Sequence, residues 1–180
     1  MHARPVASSR DLQRILALQR ENLARNVDAE EARAQGFVTV EHTLEILERM
    51  HAMQPSIVAV DDEAGGDASL AGYALVMPVE CRTFVPILEP MFARLDALGT
   101  ERYYVMGQVC VARPFRGRGV FDALYRAHRD ALSGRYDRVV TEIATRNTRS
   151  MRAHERVGFT LLERYRDAID DWALVEWIWR

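Results

Sequence analysis

The chain of 180 residues contains no lysine, and all 24 of its positive side chains are arginine. With its many alanines, this reads as the mark of a GC-rich genome rather than of a function. Cysteine is also scarce: Cys81 and Cys110 stand 29 residues apart. They show no CxxC or Cys–His spacing, which excludes a disulfide scaffold and gives no zinc signature. His2, His42, His51, His128 and His154 form no HExxH or other ligand pair, so no metal is expected. Apolar runs reach only a few residues, well short of the roughly 20 that a membrane helix needs. The opening MHARPVASSR lacks the apolar stretch of a signal peptide. No repeat or low-complexity segment occurs. These absences predict a soluble, cytoplasmic protein without a membrane partner.

What is present suits a packed core. Hydrophobic residues make up 48% of the chain, and the net charge is only -2, so neither disorder nor a polyelectrolyte tail is indicated. The length predicts one domain over residues 1–180. Leu12, Ile15, Leu16, Gln19 and Leu23 follow helical spacing after Ser8 and Asp11. Val40, Leu44, Leu47 and His51 repeat the pattern. SIVAV (56–60) and LAGYALVMPV (70–79) read as strands joined by a hairpin loop, DDEAGGDAS (61–69). Pro90 opens a helix with the stripe Met91, Leu95, Leu98, ended by Gly99. YYVMGQVCVA (103–112) is a strand, followed by a helix carrying Val120, Leu124, Ala127 and Ala131. RVVTEIA (138–144) is the next strand, Asn147 caps a short helix, and two strands end the chain. Strands alternating with helices predict an α/β sheet covered on its faces.

Charge is uneven along the chain. Residues 1–100 carry -6, residues 101–180 carry +4, and residues 113–166 alone carry +7. The basic segment either holds an anion or is a solvated surface. It lacks the interleaved aromatics of a nucleic-acid binder, so no nucleic-acid partner is expected.

Within that segment lies the most informative junction: a strand, then Arg116-Gly117-Arg118-Gly119-Val120, then a helix. Glycines let the backbone approach a ligand closely, and the first amides of a helix have no internal acceptor. Those amides and the positive end of the helix dipole suit phosphate oxygens. Arg116 and Arg118 add charge there. The turn is neither a P-loop nor GxGxxG. About thirty residues on comes Asn147-Thr-Arg-Ser-Met-Arg-Ala-His154-Glu155-Arg-Val-Gly158-Phe159.

This pair of segments resembles the GNAT superfamily of acyl-CoA-dependent N-acyltransferases. Arg116 and Gly119 match its Gln/Arg-x-x-Gly-x-Gly/Ala turn, while Asn147, Glu155, Gly158 and Phe159 match its later Asn-capped helix and Gly-Phe motif. The resemblance is close over 103–159 and rests on element order before that. It implies a single-domain mixed β-sheet flanked by helices and splayed between strands 4 and 5, with acetyl-CoA as cosubstrate in the splay. The backbone of Arg116, Gly117, Arg118, Gly119, Val120 and Phe121 would hold the pyrophosphate. Val109 and Val111 would pair with the pantetheine arm, and Asn147 would lie near it. Two positions depart from the pattern. Phe121 replaces the second small residue of the turn, turned into the core or against the cofactor. His154 replaces the family's frequent tyrosine, either as an imidazolium acid for the leaving thiolate or as a packed helix residue.

The implied chemistry is attack of an amine on a thioester, which needs a base for the ammonium proton and an oxyanion partner. Glu142 is the acid on the fifth strand and the candidate base. By alternation it faces away from Ile143, into the cleft or into solvent. Gln108 and Tyr104 are candidates for orienting the amine or its water. Cys110 reads as a small core residue, since nothing beside it would lower its pKa. Trp172, Trp177 and Trp179 read as covers of the sheet or as a homodimer contact. The segment 80–101 replaces a tight turn between strands three and four. Its helix is a packing element or a wall of the acceptor site, where Glu80 and Glu89 would meet a cationic amine. The function expected is acetyl transfer to a small-molecule or peptide amine. The alternative is a non-catalytic acyl-CoA sensor, which would need the turn but neither Glu142 nor His154.

Overall fold

The computed structural model describes residues 1–61 and 69–180. In chain order it has β1 (His2–Pro5), α1 (Ser9–Glu21), α2 (Ala29–Gln35), α3 (Leu44–Met53), β2 (Ile57–Asp61) and β3 (Ser69–Met77). There follow α4 (Glu89–Ala97), β4 (Tyr103–Val111), α5 (Val120–Leu132), β5 (Arg138–Ala144), α6 (Thr148–Val157), β6 (Thr160–Arg166) and β7 (Asp171–Ile178). The strands form one seven-stranded sheet in the order β1-β2-β3-β4-β5-β7-β6. Every neighbouring pair is antiparallel except β4–β5. The expected hairpin pairs β2 with β3, while the centre of its loop, 62–68, lies outside the described residues.

The β4–β5 pair is the short one. The two strands run together only from Tyr103 against Arg138 to Val105 against Val140. Beyond that point they part, and the Thr141 hydroxyl donates to the Met106 carbonyl at 2.8 Å where the gap opens. A register shift against β3 falls at the same level, between Ala74 and Val76. Gly107 sits in this bulge for a steric reason: a Cβ there would lie 2.0 Å from Met77 Sδ. The mixed sheet and its splay between the fourth and fifth strands are as expected.

Two layers cover the sheet. On one face α1, α3 and α4 bury Leu12, Ile15, Leu47, Met50, Met91, Phe92 and Leu95. On the other, α5 packs Val120, Leu124 and Tyr125 against Tyr104, Val139, Ile143 and Phe159. A Leu124→Ala truncation would cost about 2–5 kcal/mol, because Leu124 is fully buried. The caps follow the sequence: Ser8, Asp28, Thr43 and Asn147 each accept from an amide of the helix that they open.

Three details differ from the periodicity. Helix α2 buries no residue, so it carries no apolar stripe by which to be recognised. Helix α3 starts at Leu44 under the Thr43 cap, which leaves Val40 in the extended segment before it. The buried face of α5 runs through Val120, Leu124, Tyr125, His128 and Leu132 rather than through Ala127 and Ala131. His128 can join that face because Tyr104 and the Ala74 carbonyl satisfy its ring. Among the described residues, no helix is long and apolar enough to cross a membrane.

Candidate active site

The splay opens into a cleft of about 450 Å³ between β4, the turn before α5, the start of α6 and the segment following α2. Ala112 N–H donates to the Ala71 carbonyl at 2.9 Å. Strand alternation therefore turns the amide groups of Val109 and Val111 away from β3, towards the gap left by β5. Both residues line the cleft. Gly117 and Gly119 have φ of +75° and +76°, and a Cβ on either would meet nothing within 4 Å. The turn is thus held in the left-handed region with open space in front of it. Among the described residues, no main-chain carbonyl accepts from the amides of Gly117 to Asp122. This is a row of donors at a helix N-terminus, suited to anionic oxygens.

The two arginines of the turn behave differently. Arg116 lines the cleft with its charge already paired. Its guanidinium pairs with Glu31 at 2.9 Å, donates to Asn22 Oδ1 at 2.7 Å and reaches the Val111 carbonyl at 3.3 Å. It ties α2 and the end of α1 to the turn, and its expected contribution of charge is largely neutralised. Arg118 is exposed, its guanidinium 5.6 Å from the Phe115 ring centroid. Phe121 lines the cleft and packs on Tyr125 and His154, with centroids 5.0 and 5.1 Å away. Asn147 accepts from Ser150 N–H at 3.1 Å and donates to the Phe37 carbonyl at 3.3 Å. It joins α6 to the segment after α2, where a Cβ on Gly36 would press to 3.0 Å from Asn147 Oδ1.

A second, smaller recess of about 80 Å³ shares Phe37, Val38, Val109, Asn147 and Ser150 with the first. It continues through the splay to the α1–α3–α4 face. Val40, Leu88, Met91, Met106 and Trp172 line it together with the polar Gln108, Thr141, Ser150 and His154, and Glu142 is its one acidic residue. Val140 and Ala144, on the same strand face as Glu142, belong to the core under α1, α3 and α4, whereas Ile143 belongs to the other. Glu142 therefore lines a recess rather than open solvent. Burial lifts its carboxyl to about 7, the Tyr165 hydroxyl bonded to Oε2 opposes the rise, and the negative charge of Asp167 adds to it.

His154 is also in the lining, but in a different state from the expected acid. Its Nδ1 lies 2.8 Å from the Ser150 carbonyl, which can only accept, so Nδ1 carries the hydrogen. Nε2 then accepts from the Tyr125 hydroxyl at 2.7 Å. Burial pushes its pKa down to about 4. A neutral imidazole with both nitrogens engaged is not an imidazolium acid at neutral pH.

Several other candidates take their places. Tyr104 is fully buried and bonded to His128 at 2.7 Å, so it does not reach an amine. Gln108 lines the small recess, where its Oε1 accepts from Gln19 at 2.8 Å and Tyr73 at 2.5 Å, and Nε2 donates to the Val40 carbonyl at 2.8 Å. Gln19 in turn accepts from His42 N–H at 2.8 Å. The wall at 40–42 therefore hangs from two buried glutamines. Burial pushes the Cys110 thiol up to about 12, consistent with a packing residue. Glu89 pairs with Arg82 at 2.8 Å, an exposed pair, and neither Glu80 nor Glu89 lines a recess. The inserted segment contributes Leu88 and Met91 instead, and so forms a wall. Trp177 and Trp179 pack over the sheet, while Trp172 lines the small recess. Sequence reasoning missed Tyr165, Gln19 and Asn22, whose partners are 23, 89 and 94 residues away in the chain. It also missed Glu31, which sits on a helix without an apolar stripe.

Residues 27–159 match the family model of the acetyltransferase (GNAT) family. A chain of the NatC complex bound to Gag peptide and CoA superposes with a TM-score of 0.66 at 15% identity, covering 99% of both chains. The ribosomal-protein-alanine N-acetyltransferase from Brucella melitensis does so with a TM-score of 0.64 at 20% identity, again over 99% of each chain. The ribosomal-protein-S18-alanine N-acetyltransferase from Escherichia coli gives 0.62 at 11% identity, over 97% of this chain and 90% of that one. At such identities the likeness is one of fold. No curated protein matches the sequence.

Proposed function

The chain belongs to the GNAT family of acetyltransferases and is an acyltransferase, and from that premise we propose that it transfers an acetyl group from acetyl-CoA to a primary amine, with Glu142 as the base. The large cleft suits the cosubstrate. The amides of Gly117, Arg118, Gly119, Val120 and Phe121 would hold its phosphates, and Val109, Val111 and Asn147 its extended arm. Arg116, tied to Glu31 and Asn22, would hold the wall in place. The bound thioester supplies the electrophilic carbonyl. Everything else falls to the chain.

An amine near neutrality is an ammonium and cannot attack until it loses a proton. A carboxyl at about 7 is close to half ionised there, able to take that proton and return it to water. The observation that carries the proposal is the place of Glu142, the acid lining the recess that adjoins the cleft. The small recess narrows the acceptor further. Its volume of about 80 Å³, with Val40, Leu88, Met91 and Trp172 among its walls, fits an amine on a small group. Two structural neighbours are named for alanine N-acetylation and a third is bound to a peptide. A peptide α-amine behind a small first residue, or a small-molecule amine of that shape, is the acceptor proposed.

Thiol release from acetyl-CoA, measured against peptides that begin with Ala, Ser, Met or Lys and against small amines, tests this. Peptides with small first residues should turn over fastest. Glu142→Gln keeps the shape without the basicity, and should lose roughly 10²-fold or more in turnover at pH 7 while still binding acetyl-CoA. The loss should shrink as pH approaches the amine's own pKa. Parent-like turnover by the variant at pH 7 would remove Glu142 from the mechanism.

A further inference from the structure

Tyr165 lies on β6, one strand beyond β7 and two beyond the splay, and no requirement of acetyl transfer calls for it. Yet it is tied into the site from both sides. Its hydroxyl donates to Glu142 Oε2. Its ring lies 4.6 Å from the Arg94 guanidinium, which reaches across from α4. Arg94 is fixed in turn by Glu163 at 2.6 Å, two residues before Tyr165 on the same strand. The helix that walls the small recess with Met91 therefore also clamps the tyrosine under the carboxylate.

We propose that Tyr165 is a positioning residue for the reaction: it holds one oxygen of Glu142 so that the other is left to the recess as the proton acceptor. This rests on reading Glu142 as the base. A carboxylate on a free Glu side chain turns about its terminal torsion at little cost, so without a fixed partner its lone pairs would not keep one direction. A phenol donating to Oε2 fixes that direction and stabilises the ionised form. Burial does the opposite.

The other groups facing Glu142 do not replace this contact. Asp167, on the β6–β7 turn, is negative and disfavours ionisation. His154 on α6 is neutral. Gln108 on β4 hydrogen-bonds Gln19, Tyr73 and the Val40 carbonyl. Arg94 on α4 acts through the tyrosine ring, with its charge paired to Glu163. Tyr165 is the hydrogen-bond donor that favours the charged carboxylate among the described residues, and its own pKa is raised, so it remains a phenol.

The test is a carboxyl titration of the whole protein, followed by ¹³C NMR of labelled glutamate, with Glu142 assigned by its loss in Glu142→Gln. The parent should titrate near 7. Tyr165→Phe should move the midpoint up by about one pH unit, a tenfold change in proton affinity. Arg94→Met, which keeps the phenol but loosens it, should move it the same way by less. It stands in if Tyr165→Phe does not fold. An unmoved midpoint in folded variants overturns the proposal, because a merely structural tyrosine would change stability and not the titration. The acid limb of kcat/KM, with the best acceptor from the peptide panel, separates the two readings. If the carboxyl midpoint moves and the limb follows, both stand. If the midpoint moves and the limb does not, Tyr165 orients Glu142, but Glu142 is not the base, and the positioning role in catalysis falls with it.

Discussion

Mild acid should destabilise this protein, and the structure sets how steeply. His42, His128 and His154 are 3%, 0% and 2% exposed, and burial pushes each from 6.5 to about 4. His128 and His154 each accept from a tyrosine hydroxyl on one nitrogen and donate to a carbonyl from the other. A second proton would face the tyrosine's own hydrogen. The unfolded chain takes up these protons below 6.5, whereas the folded one resists until about 4. The stability they contribute is therefore complete above 6.5 and lost as the pH falls towards 4. Glu142 works the other way: raised from 4.5 to about 7, its contribution is complete below 4.5 and lost as the pH rises through 7. Near pH 5.5 the histidines outweigh it, and unfolding takes up roughly two protons. Between pH 7 and 5 the net loss is about 3 kcal/mol, a large share of the 5–15 kcal/mol typical of a domain. Urea unfolding followed by tryptophan fluorescence at pH 7, 6 and 5 measures it directly. At 180 residues, Tm should fall by roughly 10 °C over the same span. Equal urea midpoints at pH 7 and 5 would mean that the histidines are charged in the fold, and the tautomers assigned above would be wrong.

Other substitutions test single contacts. Gly119→Asp puts a side chain at φ +76° and a negative charge before the donor row, so acetyl-CoA affinity by calorimetry should fall at least tenfold, about 1.4 kcal/mol. His154→Phe should leave the pH profile of turnover unchanged while flattening the acid-stability slope by about one proton; a lost alkaline limb would restore the imidazolium acid. Arg116→Ala removes the ties to Glu31 and Asn22, so hydrogen exchange across 29–35 should accelerate while the sheet's protection stays. Gly107→Ala drives a Cβ to 2.0 Å from Met77 Sδ and should lower stability by about 1–3 kcal/mol in chemical denaturation.

What the sequence made legible follows from where its physics is local. The turn at 116–121 shows itself because positive φ demands glycine and a helix start leaves amides open, both properties of a few adjacent residues. The Asn147 cap and Gly158 termination are local for the same reason. Glu142 shows itself as the acid on a strand whose alternation fixes its face, but alternation cannot say what covers that face. The cover is α4 from the inserted segment, with Tyr165 from a strand that follows in sequence and lies two places away in the sheet. The same limit explains His154. Its place in the motif suggests an acid, whereas its charge state depends on Tyr125 from α5 and on burial by Phe121 and Phe159. Helix α2 escapes notice because it is held by polar contacts at its ends and by the Arg116–Glu31 pair, with no apolar face to repeat every 3.6 residues. The donor row that would bind the cosubstrate is thus written in consecutive residues. The proton affinity of Glu142, the proposed base, is written in contacts between residues 23 or more apart. Changes to the turn should accordingly act on binding alone, while changes to the tyrosine, the inserted helix or the β6–β7 turn should act on the pH at which the reaction runs.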